Sequence, residues 1–143
     1  MGTRSLTFVY DGKTPIINLY RQYDGYPTGH GAELADFLAP FVMVNGIPVG
    51  ESGKFANGMG CLAAQLVSNF KEEAGQFYLY PTSALECGQD FEYHIYEKNN
   101  ELRVGITNRG CNFFGLTQSD TNEKIFDGTV QELLDYCKEK EYE

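Results

Sequence analysis

Two tight-turn signals bracket this chain and decide most of what it can become. Asp11-Gly12 separates RSLTFVY (residues 4–10) from PIINLYRQ (15–22), two runs rich in β-branched and aromatic residues. Asn99-Asn100 separates FEYHIYE (91–97) from ELRVGIT (101–107) in the same way. Dipeptides that tolerate positive φ between β-rich runs predict hairpins. Pro15 is tolerable at the start of the first return strand. Antiparallel pairs therefore stand near both ends of the sequence, and the helical signals fall between and after them.

The first helix is expected from His30 or Gly31 to Leu38, with Leu34, Phe37 and Leu38 at helical spacing and Pro40 as its stop. A short extended segment, a turn at Asn45-Gly46 and an irregular loop through ESGKFAN lead to a second helix over about 59–71. Its broad apolar stripe predicts a largely buried helix. QFYLY (76–80) reads as a strand ended by Pro81, CNFFGLT (111–117) as a short strand and KIF (124–126) as a weak one. Thr129-Val-Gln-Glu132 is a capping box opening a last helix, with Val130, Leu133, Leu134 and Cys137 as its inner face. Hairpins and helices are segregated rather than alternating. The expected fold is one α+β domain over 1–143: a mainly antiparallel sheet with two or three helices packed on one face.

The net charge of -9 disfavours a nucleic-acid polymer as partner, since a phosphate backbone needs a basic face. A local arginine can still hold a small anion, and Arg4, Arg21, Arg103 and Arg109 all fall in or beside predicted strands. Four widely spaced cysteines without a C-x-x-C, no secretion signal and no apolar run long enough to span a bilayer predict a cytosolic protein with free thiols and no membrane partner. No metal-ligand spacing occurs, no cofactor is implied, and no nucleophile with a partner base is evident, so no residue is assigned a catalytic role.

The stretch YRQYDGYPTGHGAEL (20–34) carries more chemistry than a strand-to-helix turn requires. Tyr23 and Tyr26 supply flat surfaces for stacking on a base. Gly29, His30 and Gly31 open a helix whose N-terminus suits an anion. Arg21 is placed to reach that anion, and Asp24 to accept hydrogen bonds from a ribose or an exocyclic amine. NRGCNFF (108–114) offers a second set, with Arg109 for phosphate, Asn112 for a base edge and Phe113 for stacking. As ordinary structure, the same residues make a turn, a helix cap and a solvated loop. Gly58-x-Gly60-x-x-Ala63 matches a dinucleotide fingerprint in letters only, because ESGKFAN is a poor strand and the following chain looks antiparallel. His94 alternates with Tyr93 and Ile95 beside Glu92 and Tyr96, as a sheet-surface residue does.

MGTRSLT, YRQYDGYPTGHGAELADFL and ANGMGCLAAQL together resemble a family of small phage and prophage proteins, the Thoeris anti-defence proteins. The resemblance rests on the first half of the chain. It implies a sponge that binds a signal made by a bacterial immune enzyme without cleaving it. The implied ligands are cyclic ADP-ribose isomers or cyclic oligonucleotides, held at subunit interfaces of a homo-oligomer in the host cytoplasm. Two other functions stay open: an enzyme that degrades such a signal with His30 as acid or base, and a module that binds a host protein through the aromatic loop.

Overall fold

A computed structural model describes residues 2–46, 54–110 and 122–141. Both expected hairpins form. β1 (Ser5–Asp11) and β2 (Thr14–Arg21) pair antiparallel, with Asp11 opposite Thr14 and Gly12 at φ +63° in the reversal. β6 (Phe91–Lys98) and β7 (Glu101–Asn108) close on Asn99 and Asn100, both at positive φ. Two such residues make the turn whose twist matches that of the flanking strands.

The six-stranded main sheet adds β5 (Phe77–Tyr80) beside β2 and β8 (Glu123–Thr129) beside β7, in the order β5-β2-β1-β6-β7-β8. β1 and β6 are its one parallel pair, where the N-terminal hairpin meets the C-terminal meander. Between them in sequence lie α1 (Ala32–Leu38), β3 (Phe41–Val44), β4 (Lys54–Asn57) and α2 (Gly58–Phe70). α3 (Val130–Glu141) ends the described chain. The fold is α+β, as expected.

Four local readings need correction. KFAN is a strand, not an irregular loop: β4 pairs in parallel with β3 in a separate two-stranded sheet. The glycine pattern at 58–63 thus does follow a strand and open a helix. It still makes no dinucleotide-binding unit, because the next strand, β5, joins the other sheet antiparallel to β2. The weak KIF segment is a strand, but a longer one: it lies within the seven residues of β8, paired antiparallel with β7. α2 is amphipathic rather than largely buried: Met59, Leu62, Ala63 and Leu66 face inward while Gly60, Ala64, Ser68 and Asn69 are exposed. A π-helical turn over Pro27–Gly31 precedes α1 and delays its start to Ala32. CNFFGLT lies outside the described residues.

Strand alternation sorts the main sheet into two faces. Val9, Leu19, Tyr93, Ile95, Val104 and Ile106 form one core with Leu34 and Leu38 of α1, Leu62 and Leu66 of α2 and Leu133 of α3. Among the described residues no helix packs on the opposite face. There Leu6, Phe8 and Tyr20 form a smaller cluster with Tyr10, Tyr80 and Cys87.

Candidate functional site

The segment after β2 is shaped by backbone hydrogen bonds. Asp24 sits at φ +63°, and its carbonyl accepts from the His30 N–H at 2.9 Å. Gly25 N–H donates to the Thr3 carbonyl, and Gly29 N–H to that of Tyr26. A Cβ on Gly29 would lie 2.6 Å from the Asp24 carbonyl oxygen, so only glycine closes this turn. Tyr23 and Tyr26 stand out in solvent, at 52% and 40% exposure, and the Tyr26 hydroxyl reaches Asp24 at 3.4 Å. His30 and Gly31 go the other way, into the core.

His30 is fully enclosed, edge-on to Tyr93 and against Phe70. Its Nδ1 faces Arg21 Nη1 at 3.1 Å, and its Nε2 lies 2.7 Å from Thr7 Oγ1. A guanidinium has no acceptor, so Nδ1 must be unprotonated and Nε2–H donates to Thr7. Burial first, and then the Arg21 charge, pulls the imidazole pKa down to about 3. An enclosed, neutral imidazole offers no face to a substrate, which removes the acid–base role considered for it.

Arg21 is also buried, yet it borders open space. Its Nε donates to the Tyr23 carbonyl at 2.6 Å, and its guanidinium lies 5.0 Å from the Phe77 ring centre. Nη1 also pairs with Glu33, whose side chain is half exposed. Beyond this pair opens a cleft of about 550 Å³. Phe37, Phe70 and Phe77 give it apolar wall, Lys54 a second cation, Glu33, Asp36 and Glu72 carboxylates, and Asn69 and Gln76 amides. Lys54, from the unforeseen strand β4, also stands over the Phe41 ring at 5.9 Å.

Arg109 belongs to the opposite face. Arg21 lies across from Ser5, which in turn lies across from Phe91, so Glu92 points away from all three. Arg109 pairs with Glu92 and, at 2.8 Å, with Glu86. The sheet therefore separates the two arginines of the expected composite site, and one chain does not bring them to a common ligand. Asn112 and Phe113 lie outside the described residues. Of the ten expected site residues, Arg21 lines the cleft, His30 backs it, and Tyr23, Asp24, Tyr26, Gly29 and Gly31 form the turn beside Arg21.

The helix-free face holds a hydrogen-bonded chain as well. The Tyr10 hydroxyl is 2.7 Å from His94 Nδ1, and His94 Nε2 is 3.4 Å from Glu92 Oε1, with the imidazole stacked on Phe8. Burial opposes ionisation of Glu92, but hydrogen bonds from His94 and Gln89 and the Arg109 charge outweigh it and hold the carboxyl below its ordinary range. The period of two had put Glu92 and His94 together. Tyr10 joins them through the β1–β6 pairing, which no local signal announces. Among the described residues no cluster of three or more His, Cys, Asp or Glu side chains is placed to hold a metal ion, and no helix is long and apolar enough to cross a membrane.

No protein-family model, curated protein or solved structure matches this chain.

Proposed function

We propose that this chain is a non-catalytic binding protein that sequesters a small nucleotide-derived signal in the cleft beside Arg21. The class of signal is the one its sequence resemblance implies: a cyclic ADP-ribose isomer or a cyclic oligonucleotide, taken up by a phage anti-defence sponge. The observation that carries the reading is the state of Arg21. This guanidinium is rigidly held by His30 and the Tyr23 carbonyl, and its outward contact is a half-exposed carboxylate that a ligand phosphate can displace. The cleft volume falls in the range of small-molecule sites. Its phenylalanines suit a base, Lys54 a second phosphate, and its carboxylates and amides suit ribose hydroxyls and exocyclic amines. Sequestration requires tight binding, on the order of nanomolar or about -12 kcal/mol.

The test is a thermal-shift screen against cyclic dinucleotides, cyclic trinucleotides, cyclic ADP-ribose isomers, NAD and ADP-ribose. A ligand at about 100 times its Kd adds about 2.7 kcal/mol of stability. The expected result is a shift with one compound, which mass spectrometry then recovers intact from denatured complex. Recovery of a cleaved product replaces the sponge with an enzyme. Silence across the whole set removes nucleotide signals and puts a host-protein interaction module first.

A further inference from the structure

Arg21 commits one side of its guanidinium and leaves the other open. Nε donates to the Tyr23 carbonyl, and Nη1 divides its two N–H groups between His30 Nδ1 and Glu33. Nη2 has no acceptor among the described residues, yet it is not sealed from solvent, and Arg21 lines the cleft. The side chain is only 4% exposed and lies against the Phe77 ring, so its position is fixed. A fixed guanidinium that keeps a free pair of N–H groups at a cleft wall is a seat for an anionic oxygen.

The rest of the cleft resists negative charge. Its wall carries the carboxylates of Glu33, Asp36 and Glu72 against the cations of Arg21 and Lys54. Glu33 offsets Arg21 through their ion pair. Asp36 and Glu72 have no ion-pair partner among the described residues, and Lys54, with its ammonium over the Phe41 ring, has none either. Displacing Glu33 from Nη1 does not remove its charge, because α1 holds the residue in the cleft wall. An arriving phosphate is therefore attracted by Arg21 Nη2 and Lys54 and opposed by carboxylates that it cannot expel. The opposition grows with each negative charge the phosphate carries. A phosphate monoester carries about -1.5 to -2 near pH 7, whereas a diester carries a single charge.

We propose that Glu33 is a charge filter on the anion seat of Arg21, so that the cleft takes a phosphate esterified on both sides, as a diester or an internal pyrophosphate link, and rejects a terminal phosphate monoester. The filter rests on the nucleotide reading of the cleft and narrows it to one form of phosphate. The wall of Phe37, Phe70 and Phe77 is blind to the difference, because the base is the same in both forms. Asp36 and Glu72 raise the same barrier, but Glu33 is the carboxylate that touches the seat itself.

Adenosine 5′-phosphate and its methyl ester at phosphorus share base, ribose and open-chain shape, and near neutral pH they differ by about one charge. Each is titrated into the ¹⁵N-labelled full chain at constant low ionic strength, and Kd is read from the backbone amides of Lys54, Asn69 and Phe77 in the cleft wall. The expected result is at least about tenfold tighter binding of the ester. Glu33→Gln, a change at a half-exposed side chain, should tighten adenosine 5′-phosphate until the gap is about threefold or less. Glu86→Gln, across the sheet, should leave the gap intact. Equal binding of the two compounds to the unaltered chain, or a preference for the monoester, overturns the filter, while the moving cleft amides uphold the nucleotide reading. A gap undiminished in Glu33→Gln overturns the assignment to Glu33. No movement of the cleft amides with either compound overturns the cleft as a nucleotide site, and the filter falls with it.

Discussion

His30 shows how one residue's surroundings reverse the chemistry its type suggests. An exposed histidine titrates near 6.5, whereas this one holds out to about 3 because burial and Arg21 oppose its charge. Between those values the unfolded chain binds a proton that the folded chain does not. Stability therefore rises with pH across that window and is lost as pH falls from about 6.5 toward 3. At pH 5 the loss from this group is about 2 kcal/mol relative to pH 7.5. Urea denaturation at the two pH values measures it. His30→Leu should remove that share of the acid sensitivity and cost about 2–4 kcal/mol at pH 7.5, because Arg21 Nη1 and Thr7 Oγ1 both lose a buried partner. Retention of the acid slope in that variant would assign it to other groups. Glu92 adds a second contribution lower on the scale: its carboxyl is held below its ordinary range, so its stabilisation is present above the unfolded carboxylate pKa and lost as pH falls through the folded one.

At the scale of the element, short segments here depend on single local devices. The capping box that opens α3 is complete: Thr129 Oγ1 accepts from the Glu132 N–H at 3.2 Å, and Glu132 Oε1 accepts from the Thr129 N–H at 2.8 Å. Thr129→Ala should cost about 1 kcal/mol with an unchanged denaturant m-value, since the helix still docks through Leu133 and Cys137. The π-turn is less tolerant. Gly29→Ala drives a methyl into the Asp24 carbonyl and should cost at least 2 kcal/mol, by the overpacking that a rigid backbone neighbour cannot relieve. In α2, Leu66→Ala should cost about 2–5 kcal/mol, because Leu66 is wholly enclosed between sheet and helix. These three variants, compared by chemical denaturation, rank a cap, a turn and a core position.

Across the whole molecule the main sheet acts as a partition. The cleft with Arg21 and Lys54 lies on the helix side, and Arg4, Arg109 and the Tyr10–His94–Glu92 chain lie on the other. Charge changes on the two sides should therefore add rather than couple. For the ligand found by the thermal screen, Lys54→Ala should weaken binding about tenfold, whereas Glu86→Gln, across the sheet, should leave the Kd unchanged in calorimetric titration. A tenfold loss in Glu86→Gln would show that a second chain brings the far face to the ligand. The partition also bounds what is legible from the one-dimensional chain. The hairpins, the three helices, the capping box and the inner face of α3 follow from turn chemistry and periodicity, which act over a few residues. Arg21 was visible as chemically excessive for a turn. Its partner Glu33, the cleft's Lys54 and the Tyr10–His94 contact were not, because each depends on strands or helices meeting across long separations.

The α+β class, the hairpin reversals at Gly12 and Asn99-Asn100, and the concentration of polar chemistry after β2 are all legible in the linear chain. These are local consequences of φ preference, side-chain period and capping. Long-range strand pairing alone sets β1 parallel to β6, encloses His30 in its neutral form and places Arg21 and Arg109 on opposite faces of the sheet. The physical reason is the same in each case: a side chain's face, burial and charge partner are set by which strands become neighbours, and that pairing is chosen by the core as a whole.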